Sequence, residues 1–571
     1  MMMQIVRIFL SILLILGFTQ CAENPVSKES KSDALKGVLA NNAMVVSARK
    51  EASEIGVAIM NKGGNAFDAM VATHFALAVA YPVAGNIGGG GFTVYRLANG
   101  EKGTYDFREK APLSAHRDMY LDEEGNVIDG LSTLGALAIG VPGSVGGIFE
   151  IYKAHCTLPF QELIQPAIDL AKRGVVVTEN DEEALHYYAP FFKEANKGDI
   201  FLNRDWKQGD TIKYVELAKT LERIRDNGVE EFYEGYTAKM MIEKVQELGG
   251  ILTEQDLKAY NVKKRDPLVF KFRDFEIISM APPSSGGICL AQILKSLEPY
   301  KLEKLSHNSP EYIQLLVEAE RRSYADRAYY LGDPDFVEIP QEELISAEYL
   351  NDRMSSFNWT YATPSTTVSH GLIEVVESDQ TTHYSIIDPF GNAVSVTTTL
   401  NGGFGSKVYV EKAGFFLNNE MDDLSIKPGV PNMFGLVGAE ANAIEPEKRM
   451  LSSMTPTIVE QNGNLKMVLG SPGGSTIITS VVQNILNVGI FNMGMQESVS
   501  KSRFHHQWLP DEIKFESQFD TLNFAQLREK GYKIDHSNAR IIGKVDAILV
   551  LENGLLEGGA DPRGDDTAIG Y

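Results

Sequence analysis

The pattern of apolar and polar residues predicts helices in the first two-thirds of the chain. Apolar residues recur at helical spacing over residues 52–60, and the glycines at 63 and 64 end this helix. A second helix is predicted over residues 66–80, and because it is apolar on nearly every side we expect it to be buried. Residues 142–368 are also mostly helical in pattern.

Residues 311–330 are an example of this helical pattern, and they contain two adjacent arginines. Arg321 and Arg322 are set against a row of apolar residues. A charge pair in that position is more typical of a solvated or salt-bridged helix face than of a functional site.

The pattern changes to β at residue 381. Residues 381–388 and 393–400 are rich in β-branched and alternating residues, and a short turn segment separates them, which predicts a β-hairpin. Residues 465–469 and 547–551 are predicted as further strands.

A glycine-rich run at residues 85–91 invites comparison with a phosphate-binding loop. Such loops leave a strand and enter a helix, whereas this run enters a predicted strand. Close packing of the backbone is therefore the favoured interpretation.

Composition and charge narrow the classes of function. The 571 residues are 44% hydrophobic and 23% charged, which is enough apolar material for a large core. The net charge of −23 works against nucleic acid or an anionic membrane as a partner. A small anionic substrate would need a local cluster of cationic or hydrogen-bonding groups.

The N-terminus has the form of an export signal. A basic residue precedes a short apolar run over residues 8–18 that is too short to span a bilayer. We expect residues 1–21 to be a signal peptide and residues 22–36 a polar tether. Cys21 is either the acylated first residue of a bacterial lipoprotein or lost on ordinary cleavage.

The other two cysteines, Cys156 and Cys289, lack the spacing of metal ligands and are predicted to be buried free thiols.

Thr381 is the candidate nucleophile of the sequence. A threonine hydroxyl inside a chain has no base built in, but a threonine that begins a chain carries one in its α-amino group. That amine titrates near pH 7.7 to 8.0, so part of it is unprotonated at neutral pH. The chemistry therefore depends on cleavage between Gln380 and Thr381.

A candidate oxyanion site lies further along the chain. Gly473 and Gly474 stand between an apolar strand and a predicted helix over residues 476–488. Backbone N–H groups at such a junction are unobstructed, as an oxyanion hole requires. An ordinary strand-to-helix turn would show the same pattern.

Ten segments together resemble γ-glutamyltranspeptidase, also called glutathione hydrolase, in order and spacing. They are residues 85–92, 106–109, 140–143, 282–287, 380–385 with Asn401, 418–423, 428–432, 451–457, 470–475 and 504–510. The resemblance runs from about residue 40 to residue 571. It implies an α+β fold, the four-layer αββα sandwich of the N-terminal-nucleophile hydrolases. It also implies a precursor that cuts itself before Thr381 into a large subunit (37–380) and a small subunit (381–571), which stay together as a heterodimer.

The resemblance assigns roles residue by residue. Thr381 matches the nucleophile, and Thr399 matches the threonine whose hydroxyl supports the nucleophile's amine; without the family, Thr399 would be read as an ordinary β-former. The glycines Gly473 and Gly474 match the oxyanion donors. The remaining matches concern the γ-glutamyl group: Arg108, Ser452 and Ser453 match its α-carboxylate clamp, and Asn401, Glu420 and Asp423 match the residues that face its α-ammonium group.

The same comparison predicts a lid over this site, at residues 428–442. Phe434 stands where the lid aromatic is often tyrosine, so a hydrogen bond through that hydroxyl is not expected. Asp422 is interpreted as structural. His383, His505 and His506 are also expected to be structural, and no metal site is predicted.

The implied reaction is ping-pong transfer of a γ-glutamyl group from glutathione or another γ-glutamyl amide to water, an amino acid or a dipeptide. No metal or organic cofactor is implied. Two alternatives stay open. One is a glutaryl or β-lactam acylase of the same fold, whose substrate lacks the α-amino group; the other is a non-catalytic exported binding lipoprotein.

Overall fold

The computed structural model describes residues 35–369, 381–536 and 541–571. The predicted signal peptide, Cys21, most of the tether and Gln380 lie outside these residues. No helix within the described ranges is both long and apolar enough to cross a membrane.

The described strands, in chain order, are β1 (Val38–Ala40), β2 (Met44–Ser47), β3 (Gly90–Arg96), β4 (Lys102–Asp106), β5 (Val175–Val176), β6 (Thr211–Ile212), β7 (Lys263–Arg265), β8 (Leu268–Phe272), β9 (Phe275–Ser279), β10 (Thr381–Ile387), β11 (Ala393–Thr399), β12 (Tyr409–Val410), β13 (Phe415–Phe416), β14 (Thr457–Gln461), β15 (Asn464–Gly470), β16 (Phe504–His505), β17 (Ile513–Phe515), β18 (Ile534–Asp535), β19 (Asp546–Val550), β20 (Leu556–Gly559) and β21 (Thr567–Gly570).

The described α-helices are α1 (Lys50–Asn61), α2 (Ala66–Ala80), α3 (Ser144–His155), α4 (Phe160–Arg173), α5 (Glu179–Ala195), α6 (Val215–Asn227), α7 (Val229–Tyr233), α8 (Tyr236–Glu247), α9 (Glu254–Lys258), α10 (Gly286–Leu297), α11 (Pro310–Tyr330), α12 (Gln341–Leu344), α13 (Ala347–Met354), α14 (Thr476–Gly489), α15 (Met495–Ser500) and α16 (Phe524–Glu529).

Two seven-stranded antiparallel sheets form the centre of the fold. One has the strand order β1-β20-β19-β15-β14-β9-β8, and the other has the order β21-β2-β10-β11-β3-β4-β7. Apolar residues from both sheets, such as Val94 and Ile458, pack into one buried cluster between them. Each sheet therefore buries one face against the other sheet.

Helices cover the outer face of each sheet. Residues of α1 to α4 share a buried cluster with β10 and β11, and residues of α10, α11 and α14 share another with β9, β14, β15 and β19. The order of layers is thus helix, sheet, sheet, helix. This is the four-layer αββα sandwich predicted above.

The hairpin of β10 and β11 lies in the middle of its sheet. Its register sets Thr381 directly opposite Thr399, and β3 adds Gly90 on the far side of Thr399. The glycine-rich run before β3 packs closely, because a Cβ atom added to Gly89 would lie 2.0 Å from the Thr399 carbonyl oxygen. The interpretation of this run as a packing element agrees with that contact.

Several predicted elements match the structure closely. Helix α2 has the predicted bounds, and α1, α11, α14, β10, β11, β15 and β19 differ from the prediction by one or two residues at an end. The mostly helical region also contains the five strands β5 to β9, which the prediction missed.

The predictions about single residues differ in outcome. Arg321 and Arg322 are salt-bridged, to Asp511 and Glu318 respectively, which is one of the two predicted alternatives, and both are buried because α11 is packed on nearly all sides. Cys289 is a buried free thiol as predicted. Cys156 is free but only partly buried, since it lies at the end of α3.

Candidate active site

A small cavity brings together nine of the residues that the sequence singled out. It contains about 270 Å³ of empty space and is lined by Arg108, Thr381, Thr399, Asn401, Asp423, Phe434, Ser452, Ser453, Met454, Gly474, Ile477 and Leu436. Residues from the chain before and after position 381 thus meet at one place. Of the other predicted residues, Gly473 precedes the lining residue Gly474 in the sequence, and Glu420 pairs with the lining residue Arg108.

Thr381 begins β10 and is only 5% exposed. Opposite it, the Thr399 hydroxyl accepts a hydrogen bond from the Asn401 backbone N–H at 2.7 Å. Because this oxygen acts as the acceptor, its own hydrogen is available to a neighbouring group. Asn401 has a left-handed backbone (φ +73°), which directs the chain away from β11.

Arg108 is a fully buried arginine shared among three acids. Its Nη1 lies 2.6 Å from Glu420 Oε2, and its Nη2 donates to Asp423 Oδ2 at 2.5 Å. Glu109 lies 3.4 Å from Nη1. Burial opposes the charge of Arg108, but Glu420, Glu109 and Asp423 outweigh it and raise the pKa of Arg108 above its usual value.

The acids around Arg108 have raised pKa values because they are buried together. Burial raises the pKa of Glu109 to about 8 and that of Glu420 well above its ordinary value, with Arg108 opposing both shifts. Burial also raises the pKa of Asp423, again against Arg108. One guanidinium therefore does not fully compensate the three carboxyl groups, and the cluster favours an additional positive charge.

Ser452 and Ser453 form another part of the wall. The Ser452 hydroxyl accepts from the Met454 N–H at 3.1 Å, and its carbonyl accepts from both the N–H and the hydroxyl of Ser285 at 2.7 Å. The Ser453 hydroxyl accepts from Arg327 Nη2 at 3.1 Å. Both serines are therefore held by side chains behind the cavity.

Gly473 and Gly474 form the turn between β15 and α14. Both have positive φ values, +126° and +53°, and a Cβ atom on Gly474 would lie 2.5 Å from the Phe434 ring. Only glycine fits this turn without strain. Within the described residues, neither N–H group donates to a protein acceptor, so both donors are available to a ligand.

The predicted lid, residues 428–442, contributes Phe434 and Leu436 to the cavity wall and is fixed at three points. Asn432 Nδ2 donates to Asp423 Oδ1 at 3.0 Å, and the Met433 N–H donates to Asp422 Oδ2 at 2.9 Å. At the third point, Gln507 Nε2 donates to the Phe434 carbonyl at 3.2 Å. Phe434 thus contributes its ring, which faces Gly474, and its carbonyl, which accepts from Gln507.

The three histidines have structural contacts. His383 lies between the hydroxyls of Thr397 and Ser385, and His505 faces Thr479 and Gln507. His506 faces Asp511 at 3.3 Å. In the described part of the chain, no group of three or more His, Cys, Asp or Glu side chains is arranged to hold a metal ion.

Sequence reasoning missed four residues that support the site: Glu109, Arg327, Asn432 and Gln507. Glu109, Asn432 and Gln507 lie in segments that carry the family resemblance, but the resemblance assigns them no role. Arg327 lies in α11, in which the sequence pattern favours a solvated or salt-bridged face for Arg321 and Arg322. Its position behind Ser453 follows from the packing of α11, which no local pattern reports.

Comparisons with known proteins identify one family. The sequence model of the family described as gamma-glutamyltranspeptidase matches residues 52–571. The chain is 43% identical to the glutathione hydrolase proenzyme of Escherichia coli (strain K12), covering 96% of this chain and 95% of that protein. It is 44% identical to the protein of the same name from Pseudomonas aeruginosa, covering 90% and 91%.

Solved structures give the same result. The gamma-glutamyltranspeptidase of Helicobacter pylori is 42% identical with a TM-score of 0.56, and the match covers 60% of this chain and 98% of that one. A cephalosporin acylase from Bacillus halodurans has a TM-score of 0.82 at 24% identity, covering 96% and 99%. At that identity the acylase shows the fold alone.

Proposed function

The chain belongs to the γ-glutamyltranspeptidase family, and on that premise we propose that Thr381 is its nucleophile, freed as the first residue of a small subunit by self-cleavage after Gln380. The enzyme is a glutathione hydrolase and γ-glutamyltransferase. The observation that supports this site is the shared cavity, which places Thr381 beside Arg108, Asp423, the two serines and Gly474.

In the proposed reaction, the Thr381 hydroxyl oxygen attacks the γ-carbonyl carbon of the donor. The freed α-amine takes the hydroxyl proton with its single lone pair, and the Thr399 hydroxyl oxygen, opposite Thr381, accepts a hydrogen bond from an N–H of that amine. The N–H groups of Gly473 and Gly474 stabilise the oxyanion. The amine then passes the proton to the leaving nitrogen, and the C–N bond breaks to give a γ-glutamyl ester of Thr381.

Water or an amino acid resolves the ester. The same amine takes a proton from the incoming nucleophile and returns it to the threonine oxygen, which restores the enzyme. Hydrolysis releases glutamate, and transfer to an amino acid or dipeptide gives a new γ-glutamyl compound.

The charges of the cavity support a zwitterionic donor group. In the free enzyme Arg108 is paired with Glu420 and Asp423. A γ-glutamyl group brings a carboxylate for Arg108 and an ammonium group for the two acids, so both sides of the ion pair receive a partner. A glutaryl group would supply only the carboxylate and leave the acids without compensation, which is why we prefer the γ-glutamyl donor to the acylase alternative.

The nucleophile is tested by mass spectrometry of the purified protein with and without substitution of Thr381. The native protein should yield a small subunit that begins at Thr381. Thr381→Ala should remain uncut and inactive on γ-glutamyl-p-nitroanilide, whereas Thr381→Ser keeps a hydroxyl and should still be cut. An uncut native chain with full activity would overturn the proposal.

The donor specificity is tested with Asp423→Asn, which keeps the shape of the side chain but removes its charge. We expect KM for γ-glutamyl-p-nitroanilide to rise about 10- to 100-fold, as the loss of a charge-assisted hydrogen bond predicts. Glutaryl-p-nitroanilide, which lacks the α-amino group, should not lose activity. An unchanged KM for the γ-glutamyl substrate would favour the acylase.

The proposal extends to the partners and the location of the enzyme. We propose glutathione as a donor, amino acids or dipeptides as acceptors, and a heterodimer of residues 37–380 and 381–571. Export through residues 1–21 would place the enzyme in the periplasm or, with acylated Cys21, on the outer membrane as an anchored lipoprotein. Membrane fractionation separates these two outcomes.

A further inference from the structure

Arg327 is a buried arginine that the mechanism above does not use. It lies in α11, is 4% exposed, and makes two side-chain hydrogen bonds, both to serines. Its Nε donates to Ser285 Oγ at 2.9 Å, and its Nη2 donates to Ser453 Oγ at 3.1 Å. Both partners are neutral.

The absence of a carboxylate partner sets Arg327 apart from the other buried arginines. Seven others each form an ion pair: Arg49 with Asp181, Arg96 with Glu460, Arg108 with Glu420 and Asp423, Arg321 with Asp511, Arg322 with Glu318, Arg449 with Asp106, and Arg503 with Asp561. Within residues 35–369, 381–536 and 541–571, no carboxylate pairs with Arg327 in this way. A buried cation without a counter-charge is costly, so a negative group is expected nearby in the working enzyme.

Electrostatics at Arg327 lead to the same expectation. Burial lowers the pKa of Arg327, whereas the pKa values of Arg49, Arg108 and Arg449 are raised by their acidic partners. Asp423 acts on Arg327 only as a more distant charge, and Arg108 opposes it. Behind Ser453, Arg327 therefore has no direct counter-charge among the described residues.

The hydrogen bonds of Arg327 determine which way the hydroxyl of Ser453 can donate. An arginine can only donate, so Ser453 Oγ must accept from Arg327 and its own hydrogen is left for another acceptor. Ser453 lines the cavity. On the other side, Ser285 accepts from Arg327 and donates to the Ser452 carbonyl at 2.7 Å, which fixes the neighbouring residue.

We propose that Arg327 is a positioning residue for the α-carboxylate of the donor: it orients the Ser453 hydroxyl as a donor and supplies the positive charge that the carboxylate neutralises. This rests on the proposed function of the cavity. The α-carboxylate of the donor then pairs with Arg108 directly and accepts a hydrogen bond from the Ser453 hydroxyl, which Arg327 orients. Arg327 thereby contributes to the selection of donors that carry an α-carboxylate.

The test compares two anilides that differ only in this group. γ-Glutamyl-p-nitroanilide has the α-carboxylate, and 4-aminobutyryl-p-nitroanilide lacks it. In Arg327→Met we expect kcat/KM for the γ-glutamyl substrate to fall about 10- to 100-fold, mainly through KM, because a charge-assisted contact is lost. The value for the 4-aminobutyryl substrate should change less than threefold. Arg327→Lys keeps the charge but not both hydrogen bonds. Its kcat/KM for the γ-glutamyl substrate should lie between the values of Arg327→Met and the native enzyme.

Arg96→Met is the matched control, because Arg96 is a buried arginine that pairs with Glu460 and does not line the cavity. It should leave the ratio of the two substrates unchanged. Equal losses on both substrates in Arg327→Met, or no loss, would overturn the role of Arg327. If Arg327→Met does not fold, Arg327→Lys must still show a selective rise in KM, and a uniform effect refutes the proposal. A native enzyme inactive on γ-glutamyl-p-nitroanilide would instead refute the proposed function.

Discussion

His383 lies two residues after Thr381 in β10, and its ring is fixed between two hydroxyl groups. Nδ1 lies 2.9 Å from Thr397 Oγ1 and Nε2 lies 3.0 Å from Ser385 Oγ. Burial lowers the pKa of His383 to about 3. The ring is therefore neutral in the folded protein at pH values at which it is protonated in the unfolded chain, near 6.5 and below.

This difference predicts a pH dependence of stability. The folded pKa lies below the unfolded one, so the contribution of His383 is fully present above pH 6.5 and is lost as the pH falls toward 3. Between pH 7 and pH 5 the loss is about 2 kcal/mol. His383→Gln cannot titrate, so its melting temperature should fall less than that of the native protein over this range, as measured by thermal denaturation.

The exposed residue His116 provides the control for this comparison. His116→Gln should show the same fall in melting temperature as the native protein between pH 7 and pH 5. If His383→Gln also shows the native fall, the buried neutral ring does not contribute to the acid sensitivity.

Single residues differ in how far the sequence reveals them. Thr381 and the glycines at 473 and 474 lie in local motifs, so neighbouring residues in the sequence are enough to predict their chemistry. In the structure, Thr381 and Gly474 line the cavity. Arg327 could not be found in this way. Its partners Ser285 and Ser453 are 42 and 126 residues away in the chain, and only tertiary packing brings them together.

At the level of structural elements, Gln507 joins the lid to the turn that contains Gly473 and Gly474. It follows β16 and is 3% exposed. Its Nε2 donates to the Phe434 carbonyl in the lid, and its Oε1 accepts from Ser475 Oγ at 2.7 Å, one residue after Gly474. His505 Nε2 lies 2.8 Å from the same oxygen. The lid and this turn, which both line the cavity, are thus held by one amide.

Substitution of Gln507 should distinguish the effect of its contact with Phe434 from that of its contact with Ser475. Gln507→Glu keeps an acceptor for Ser475 but places a carboxylate against the Phe434 carbonyl, so we expect KM for γ-glutamyl-p-nitroanilide to rise about tenfold at pH 8. As the pH falls and the carboxyl group takes a proton, it can donate again, and the ratio of variant to native KM should decrease. Gln507→Met loses both contacts and should show no such recovery.

Gln292→Met serves as the control because Gln292 is equally buried and bonds to Asp326 and Leu344 rather than to the lid. Its KM should not depend on pH differently from that of the native enzyme. A Gln507→Glu variant with native KM at pH 8 would show that this amide does not hold the lid.

Helices and strands are largely predictable from the sequence where their apolar residues recur at a regular spacing. Helix α2 is apolar on nearly all sides and was predicted with its exact bounds. The short strands β5 to β9 were missed because they lie within a mostly helical region, and β7 is only three residues long. The lid has little regular secondary structure, so its position followed from family resemblance and not from a pattern.

At the scale of the whole molecule, both sheets contain strands from the two sides of the proposed cut. In the part of the chain that the structure describes, five strand pairings connect residues before position 381 with residues after it: β1 with β20, β2 with β10, β2 with β21, β3 with β11, and β9 with β14. The apolar layer between the sheets also mixes residues from both sides. Cleavage of one peptide bond would leave these contacts unchanged.

We therefore predict that the cleaved subunits do not separate under native conditions. Backbone hydrogen bonds and buried apolar contacts are not screened by salt, so the two subunits should elute together in size-exclusion chromatography even at 1 M NaCl. In urea they should separate only at concentrations at which the circular dichroism of the fold is also lost. The uncut Thr381→Ala protein is the control, and it should elute at the same volume as the cleaved protein. Two peaks at 1 M NaCl, each with retained circular dichroism, would show that the subunits fold independently and that the sheets do not depend on pairing across the cut.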